Sequence, residues 1–188
     1  MKNTRNKFRI IAGTWRGRQL HFPDIPHLRP TTDRIRETLF NWLQLDIQGA
    51  SCLDAFSGSG ALSLEALSRG AGSVTSVDMS PEAIACQRYN CQLLGQTGLT
   101  LIQADTLQWL QQARPARPFD IAFLDPPYTL HCLQDCCELL EAGGWVGRNS
   151  KIYLESNQPL AELKLPGHWS WLKNKKAGQV YYGLCQRL

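Results

Sequence analysis

The chain predicts an α/β fold with three layers, in which helices cover both faces of a mostly parallel sheet. Three observations predict it. After residue 50, short apolar runs of strand length alternate with segments of helical periodicity, and repeated strand–helix units build parallel sheets that are covered on both sides. The unusual residues of this region, Asp54 through Gly60, Asp78, Asp105 and Asp125, all fall at the carboxyl ends of those strands. Open α/β sheets collect their ligands there. Finally, a length of 188 residues suits one domain with a substantial core.

The elements follow in order. "FRIIAGTWRGRQLHF" reads as two short strands around Gly13 and Gly17, a hairpin, and the proline-rich "PDIPHLRP" is a connector. "TTDRIRETLFNWLQ" is a helix capped by Thr32 or Asp33. Its Ile35, Leu39, Trp42 and Leu43 fall at i, i+4, i+7 and i+8 on one apolar face, with Arg34, Glu37 and Asn41 on another side. "SCLDAF" is the first core strand, and a Gly-rich turn leads to a helix from Ala61 to Ser68. "SVTSVD" is the second strand. "SPEAIACQRYNCQLLG" is the second helix, with Ser80 as cap and Pro81 at its first position. "LTLIQAD", "FDIAFLD" and "KIYLES" are further strands. The helices between them are "TLQWLQQ" and "LHCLQDCCELLEAGG", the latter closed by Gly143 or Gly144. "WSWLKNKKAG" and "QVYYGLCQRL" form a terminal hairpin.

Composition excludes several classes. At 43% hydrophobic and 19% charged the chain is neither disordered nor membrane-spanning in character. No apolar run reaches the roughly 18 residues of a membrane helix, and "MKNTRNKFRI" lacks the apolar region of a secretory signal. A cytoplasmic protein with no membrane partner is expected. Its seven cysteines form no CxxC pair, so no zinc or thioredoxin-like site is indicated and no metal is expected. Cys132, Cys136 and Cys137 share a predicted helix and read as small buried hydrophobes of a reducing compartment.

Charge is unevenly placed. Residues 1–36 carry nine Lys/Arg against Asp24 and Asp33, a net +7, and residues 37–188 carry a net −3, which together give the +4 of the whole chain. A basic arm that also carries Phe8, Trp15 and Phe22 points to a polyanion, and so to nucleic acid. The alternative is a merely solvated terminus.

Three motifs at these strand ends carry chemistry. In "LDAFSGSGALSLEA", Gly58 and Gly60 let the backbone turn and approach a ligand. Asp78 closes the next strand, 20 residues after Gly58, placed to accept from ribose hydroxyls. The loop departs from a dinucleotide fingerprint, because Ser63 replaces its third glycine and Asp54 precedes it. A carboxylate repels a pyrophosphate and suits a cationic amino-acid end, which turns the cofactor from NAD toward S-adenosylmethionine. Asp105, ending "QAD", could accept from an adenine amine or be a solvated loop acid. In "FDIAFLDPPYTL" a core strand runs into two prolines, which cannot continue a ladder. The loop leaves carbonyls free, Asp125 adds an acceptor and Tyr128 a stacking face. Together these suit a planar group bearing an NH₂.

Asp125-Pro126-Pro127-Tyr128 after the fourth strand resembles the amino-methyltransferase signature. With "LDAFSGSGALSLEALSRGA" and the N-terminal "RIIAGTWRGRQL…LRPTTDRIRETLFNWL", the chain closely resembles the bacterial 16S rRNA guanine-N2 methyltransferase (RsmD-like) family from about Arg9 to its C-terminus. The N-terminal block is the most specific part of the likeness. The chain differs at Ala55 and Ser57, where that family suggests a larger apolar residue and alanine, and the cysteines at 132–137 are not part of the likeness.

The resemblance implies a class I methyltransferase (Rossmann-like) fold, with a seven-stranded sheet whose last strand is antiparallel. It implies one domain over 1–188, with a basic hairpin arm at 1–31 and a catalytic core at 32–188. The activity implied is methyl transfer from S-adenosylmethionine, giving S-adenosylhomocysteine, to N2 of one guanine, position 966 by family convention. The partner implied is 16S rRNA in the assembling 30S subunit, and the enzyme a monomer. The residues implied are Asp54, Phe56, Ser57, Gly58, Ser59, Gly60, Asp78, Met79, Asp105 and Thr106 for the cofactor, and Asp125, Pro126, Pro127 and Tyr128 for the base. Arg9, Arg16, Arg18, Arg34 and Arg36 are expected to grip RNA phosphates. A DNA adenine-N6 methyltransferase would share the motifs, but 188 residues leave little room for a target-recognition region. A protein-glutamine methyltransferase tends to carry Asn in place of Asp125, and Asp54 disfavours an NAD oxidoreductase. A non-catalytic RNA-binding module would need no such row of strand-end acids.

Overall fold

The computed structural model describes residues 6–25, 28 and 30–188. Lys2, Arg5 and Arg29 of the basic arm, with Pro26 and His27 of the connector, lie outside the described residues. The sheet is built from β3 (Ser51–Asp54), β4 (Ser73–Asp78), β5 (Leu99–Gln103), β6 (Phe119–Leu124), β7 (Val146–Ser156), β8 (Trp169–Ala177) and β9 (Val180–Arg187). Its order is β5-β4-β3-β6-β7-β9-β8. The first five run parallel, and β9 enters antiparallel between β7 and β8, as the resemblance implies.

This order positions the site. From β3 the chain winds outward through β4 and β5, then returns to lay β6 on the other side of β3 and continues to β7. The winding reverses between β3 and β6, so a crevice opens beyond their carboxyl ends. Asp54 ends β3, and Asp125 directly follows β6. The four residues of β3 are buried, and so are Ile121 to Leu124 of β6, as unbroken apolar runs covered on both faces should be.

Two cores flank the sheet. One joins Leu39, Phe40, Leu64, Phe123 and Tyr153, and the other joins Leu110, Leu124, Cys136, Cys137, Leu140 and Trp145. The helices are α1 (Asp33–Trp42), α2 (Ala61–Ser68), α3 (Pro81–Leu94), α4 (Thr106–Gln112) and α5 (Leu133–Ala142). Thr32 caps α1, its hydroxyl accepting from Ile35 N at 3.4 Å. All eight residues of α2 are buried, because the N-terminal hairpin covers its outer side. That hairpin pairs β1 (Lys7–Arg9) with β2 (Gln19–His21). Glu65 of α2 accepts from Ile11 N at 2.8 Å and Ala12 N at 3.0 Å, and Ser68 Oγ accepts from Trp15 N at 3.0 Å.

Two boundaries differ from expectation. β7 begins at Val146 rather than Lys151, because a register irregularity between Phe119 and Ile121 lets Val146 pair with Phe119. α5 begins at Leu133 rather than Leu130, because Tyr128–Leu130 form a short 3-10 turn closed by Leu130 N on the Pro127 carbonyl at 2.9 Å. The seven cysteines are free, and all but the half-buried Cys86 are buried. No helix among the described residues is long and apolar enough to cross a membrane.

Candidate active site

The loop after β3 is shaped by backbone bonds to its neighbours. Ala55 N donates to the Phe123 carbonyl at 3.1 Å and Ser57 N to that of Val77 at 2.9 Å. Gly60 caps α2 at φ 77°, a left-handed conformation costly to any residue with a Cβ. A Cβ there would also lie 2.8 Å from Cγ of Gln87. Gln87, fully buried on α3, braces the loop from below, its Nε2 donating to Ser57 Oγ at 2.8 Å and to the Gly58 carbonyl at 3.0 Å.

The acids of this loop are placed differently from one another. Asp54 is 1% exposed. Its Oδ2 accepts from Ser63 Oγ at 2.6 Å, and Ser63 lies 2.5 Å from Ser76 Oγ. Burial, opposed by the Ser63 hydrogen bond and aided by the charge of Asp78, pushes Asp54 up from 3.8 to about 7. No ion pair of the described residues involves Asp54. A buried carboxylate is costly until a cation joins it, so this loop fits a ligand with a positive group. Asp78 accepts from Gly58 N at 2.7 Å and Ser80 N at 2.8 Å. A carboxylate has about four acceptor positions, so two remain for hydroxyl donors. Asp105 is exposed and caps α4, accepting from Gln108 N at 2.9 Å. Next to it, buried Thr106 donates to the Ala55 carbonyl at 2.5 Å, tying α4 to the loop. Phe56 is half-buried, Ser57 and Ser59 are buried, and Met79 is 67% exposed.

Across the switch point, Asp125 accepts from Thr31 Oγ1 at 3.1 Å, so the N-terminal connector reaches this site. Pro126 is buried, Pro127 exposed and Tyr128 36% exposed. The Tyr128 hydroxyl donates to Glu155 Oε1 at 3.1 Å, and the Tyr153 hydroxyl donates to Glu155 Oε2 at 2.5 Å. Burial and then the charge of Glu155 push Asp125 well above the ordinary carboxylate range, with the Thr31 hydrogen bond opposing. Glu155, 4% exposed, is raised by burial and lowered by its two tyrosine donors. Tyr128 is raised by burial and by the charges of Glu155 and Asp125.

Arg9, Arg16, Arg18 and Arg34 are exposed. Arg36 requires a correction, because its side chain is fully buried and unavailable to a phosphate. It donates to Asp33 Oδ1 at 2.6 Å and to the Arg9 carbonyl at 2.9 Å, and sits 3.8 Å from Glu65. The reason is helical spacing. Arg36, Phe40 and Leu43 form their own i, i+4, i+7 row beside Ile35 and Leu39, so the buried stripe is wider than the apolar residues alone suggest.

Four residues at the site escape sequence reasoning: Thr31, Ser63, Gln87 and Glu155. Glu155 carries a usable signal, since it is an acid at the carboxyl end of "KIYLES" in the same class of position as Asp54 and Asp125. Ser63 reads only as a missing glycine. Thr31 and Gln87 give no signal, as their roles depend on which chain segment passes over them.

Comparison with known proteins places the chain. Residues 8–186 match the family described as "Conserved hypothetical protein 95". A relative named "Ribosomal RNA small subunit methyltransferase D", from Escherichia coli (strain K12), is 44% identical over 181 residues, covering 96% of this chain and 90% of the relative. The chain belongs to the small subunit methyltransferase D family. Its Haemophilus influenzae member is 39% identical over 186 residues, covering 98% of this chain and 96% of its own. In structure, the chain is similar to the Escherichia coli protein yhhF, with TM-score 0.87 and 41% identity over 97% of this chain and 98% of the other. A more distant fold neighbour, at 16% identity and TM-score 0.75 over 98% of this chain and 57% of the other, is described as a methyltransferase complexed with SAH. Among the described residues, no cluster of His, Cys, Asp or Glu is placed to hold a metal.

Proposed function

We propose that the protein transfers a methyl group from S-adenosylmethionine to N2 of one guanine in 16S rRNA, position 966 by family convention. It acts as a monomer in the cytoplasm on RNA of the assembling 30S subunit, with residues 1–188 as one catalytic domain. The observation that carries this reading is half-buried Asp125, set at the sheet's switch point and followed by two prolines and Tyr128. Small-subunit rRNA as the substrate class is supported by the names of the relatives, and guanine N2 by the family resemblance.

Bound S-adenosylmethionine supplies an electrophilic methyl on a positively charged sulfur. Asp54 offers the negative charge that its cationic end needs, and Asp78 the acceptors for ribose hydroxyls. Phe56, Ser57, Gly58, Ser59, Gly60 and Met79 line the turn, with Asp105 and Thr106 on the side toward α4. A guanine amine is a weak nucleophile, because its lone pair is delocalised into the ring. Asp125 and the Pro126 carbonyl accept its two N–H groups and favour a pyramidal nitrogen, whose lone pair then points at the methyl. Fixed acceptors of this kind stabilise charge as it develops, and holding the reactants in line supplies roughly 7–11 kcal/mol. Tyr128 stacks on the extruded base. Arg9, Arg16, Arg18 and Arg34 hold phosphates, which position the RNA without reading its sequence.

The test is incubation of the full chain with methyl-labelled S-adenosylmethionine and, separately, naked 16S rRNA, immature small subunits, DNA and protein. The expected result is one labelled N2-methylguanine in small-subunit RNA. Label on adenine N6, or on DNA or protein alone, overturns the assignment.

A further inference from the structure

Glu155 is a buried acid outside the signature tetrapeptide. Leu124 of β6 and Leu154 of β7 are the last register partners of those strands, so Asp125 and Glu155 are the next residue on each of two parallel neighbours. Such strands lie about 4.8 Å apart. The two carboxyls therefore emerge side by side at the catalytic edge. Their donors differ. Among the described residues, Asp125 receives one hydroxyl, from Thr31 at 3.1 Å. Glu155 receives two, from Tyr128 at 3.1 Å and Tyr153 at 2.5 Å. The better-solvated member of such a pair keeps its charge, and the other is the one driven to take a proton.

We propose that Glu155 is a positioning residue for the amine clamp, anchoring the stacking face of Tyr128 through its hydroxyl and making neighbouring Asp125 the stronger proton acceptor. This rests on the amino-methyltransferase reading. In that reaction the amine nitrogen uses its lone pair to bond the methyl carbon, and the carbon–sulfur pair stays on sulfur. The nitrogen then carries one proton too many, and an Asp125 oxygen takes it. An ordinary exposed aspartate holds such a proton weakly, whereas one beside a fixed negative charge holds it well.

The groups that face the pair come from several elements. They are Tyr128 on the loop after β6, Tyr153 on β7, Asp54 at the end of β3 and Thr31 on the connector. On β9, Tyr182 is the register partner of Glu155. Beyond it on β8 lies Lys175, the partner of Tyr182, with its ammonium 5.8 Å from the Trp42 ring centroid. α1 adds apolar Leu39, and Trp42 stacks on Tyr182 at 5.6 Å.

The experiment is a carbon-13 NMR titration of the aspartate and glutamate carboxyls in the full-length, ligand-free protein, for wild type, Glu155→Gln and Asp125→Asn. The apparent pKa of Asp125 is expected to fall by about one unit or more in Glu155→Gln. That of Glu155 should stay in place in Asp125→Asn, because Asp125 is already neutral where Glu155 titrates, and only the upper step should vanish. If Glu155→Gln fails to fold, Glu155→Met removes the same charge at similar length and takes its place. In parallel, the acid limb of the kcat/KM profile for rRNA methylation should move to lower pH in Glu155→Gln. A merely structural loss would lower the rate and leave that limb in place. An Asp125 titration unmoved by loss of the Glu155 charge overturns the proposal whether or not the RNA is a substrate. A wild type that methylates no guanine overturns the functional reading alone.

Discussion

Asp54 offers a sharp test, because its charge is costly in the empty protein and useful in the loaded one. It is 1% exposed, and burial raises it from 3.8 to about 7. That gap corresponds to roughly 4 kcal/mol between the folded and unfolded states of this one group. The native state binds the proton more tightly than the unfolded chain does. The contribution of Asp54 to stability is therefore full below pH 3.8 and lost as pH rises toward about 7. A cationic ligand reverses the preference, since it binds the ionised form. Binding then releases a proton wherever Asp54 is neutral, and affinity for S-adenosylmethionine should weaken by about tenfold for each unit of acidification below that pKa.

The perturbation is Asp54→Asn, which keeps shape and leaves an oxygen to accept from Ser63, now 2.6 Å away. Calorimetric titration with S-adenosylmethionine across the acid and neutral range measures the effect. Well below pH 7 both proteins carry a neutral group and should bind alike. Above it the wild type should bind more tightly, and the variant should show a nearly flat profile. A wild-type affinity that does not change through this range, or a variant with the wild-type slope, refutes the assignment of Asp54 to the cationic end of the cofactor.

Other perturbations separate the parts of the site. Asp125→Ala should retain cofactor binding and lose roughly 100- to 1000-fold in kcat, measured by single-turnover methylation; near-normal turnover removes the amine clamp. Reversing Arg9, Arg16, Arg18 and Arg34 to glutamate should weaken RNA binding and flatten its salt dependence by about 0.7–0.9 in slope for each phosphate no longer neutralised, with cofactor affinity unchanged in calorimetry. Arg36→Met belongs to a different class. It leaves buried Glu65 without one of its cations, at about 3–5 kcal/mol, so Tm should fall by on the order of 10 °C in a calorimetric scan. Gly60→Ala should damage cofactor binding more than Gly58→Ala. Both have positive φ, but a Cβ at Gly60 meets Gln87 at 2.8 Å, whereas one at Gly58 finds Leu28 at 3.8 Å; equal effects would deny the bracing role of Gln87.

The sheet was legible because its cause is local. Apolar runs such as "AFL" can be buried only by strands covered on both faces, and the caps Thr32 and Ser80 mark helix starts through their own side chains. The carboxyl-end rule then placed Asp54, Asp78, Asp105 and Asp125 at one edge. Burial of polar side chains was not legible, since it depends on the segment that covers them. Arg36 reads as one more positive charge of a basic arm. In the fold it lies on the covered face of α1, its guanidinium shared between Asp33 and the Arg9 carbonyl.

Glu65 makes the same point from the other side. On a helix that is buried all round, an acid looks misplaced, yet it receives two backbone N–H groups of the hairpin, at 2.8 and 3.0 Å, and Arg69 Nε at 2.6 Å. These partners lie 53 and 54 residues away for the hairpin and one helical turn away for Arg69. Only the last is visible in a sequence window. The hairpin is thus bound to α2 through its backbone N–H groups and not through its own arginines. That leaves Arg9, Arg16, Arg18 and Arg34 at the surface, while the connector that follows carries Thr31 to Asp125. On the proposed reading, an arm built in this way would hold RNA on its outside and reach the reacting centre with its end, so RNA grip and amine chemistry should respond to separate substitutions.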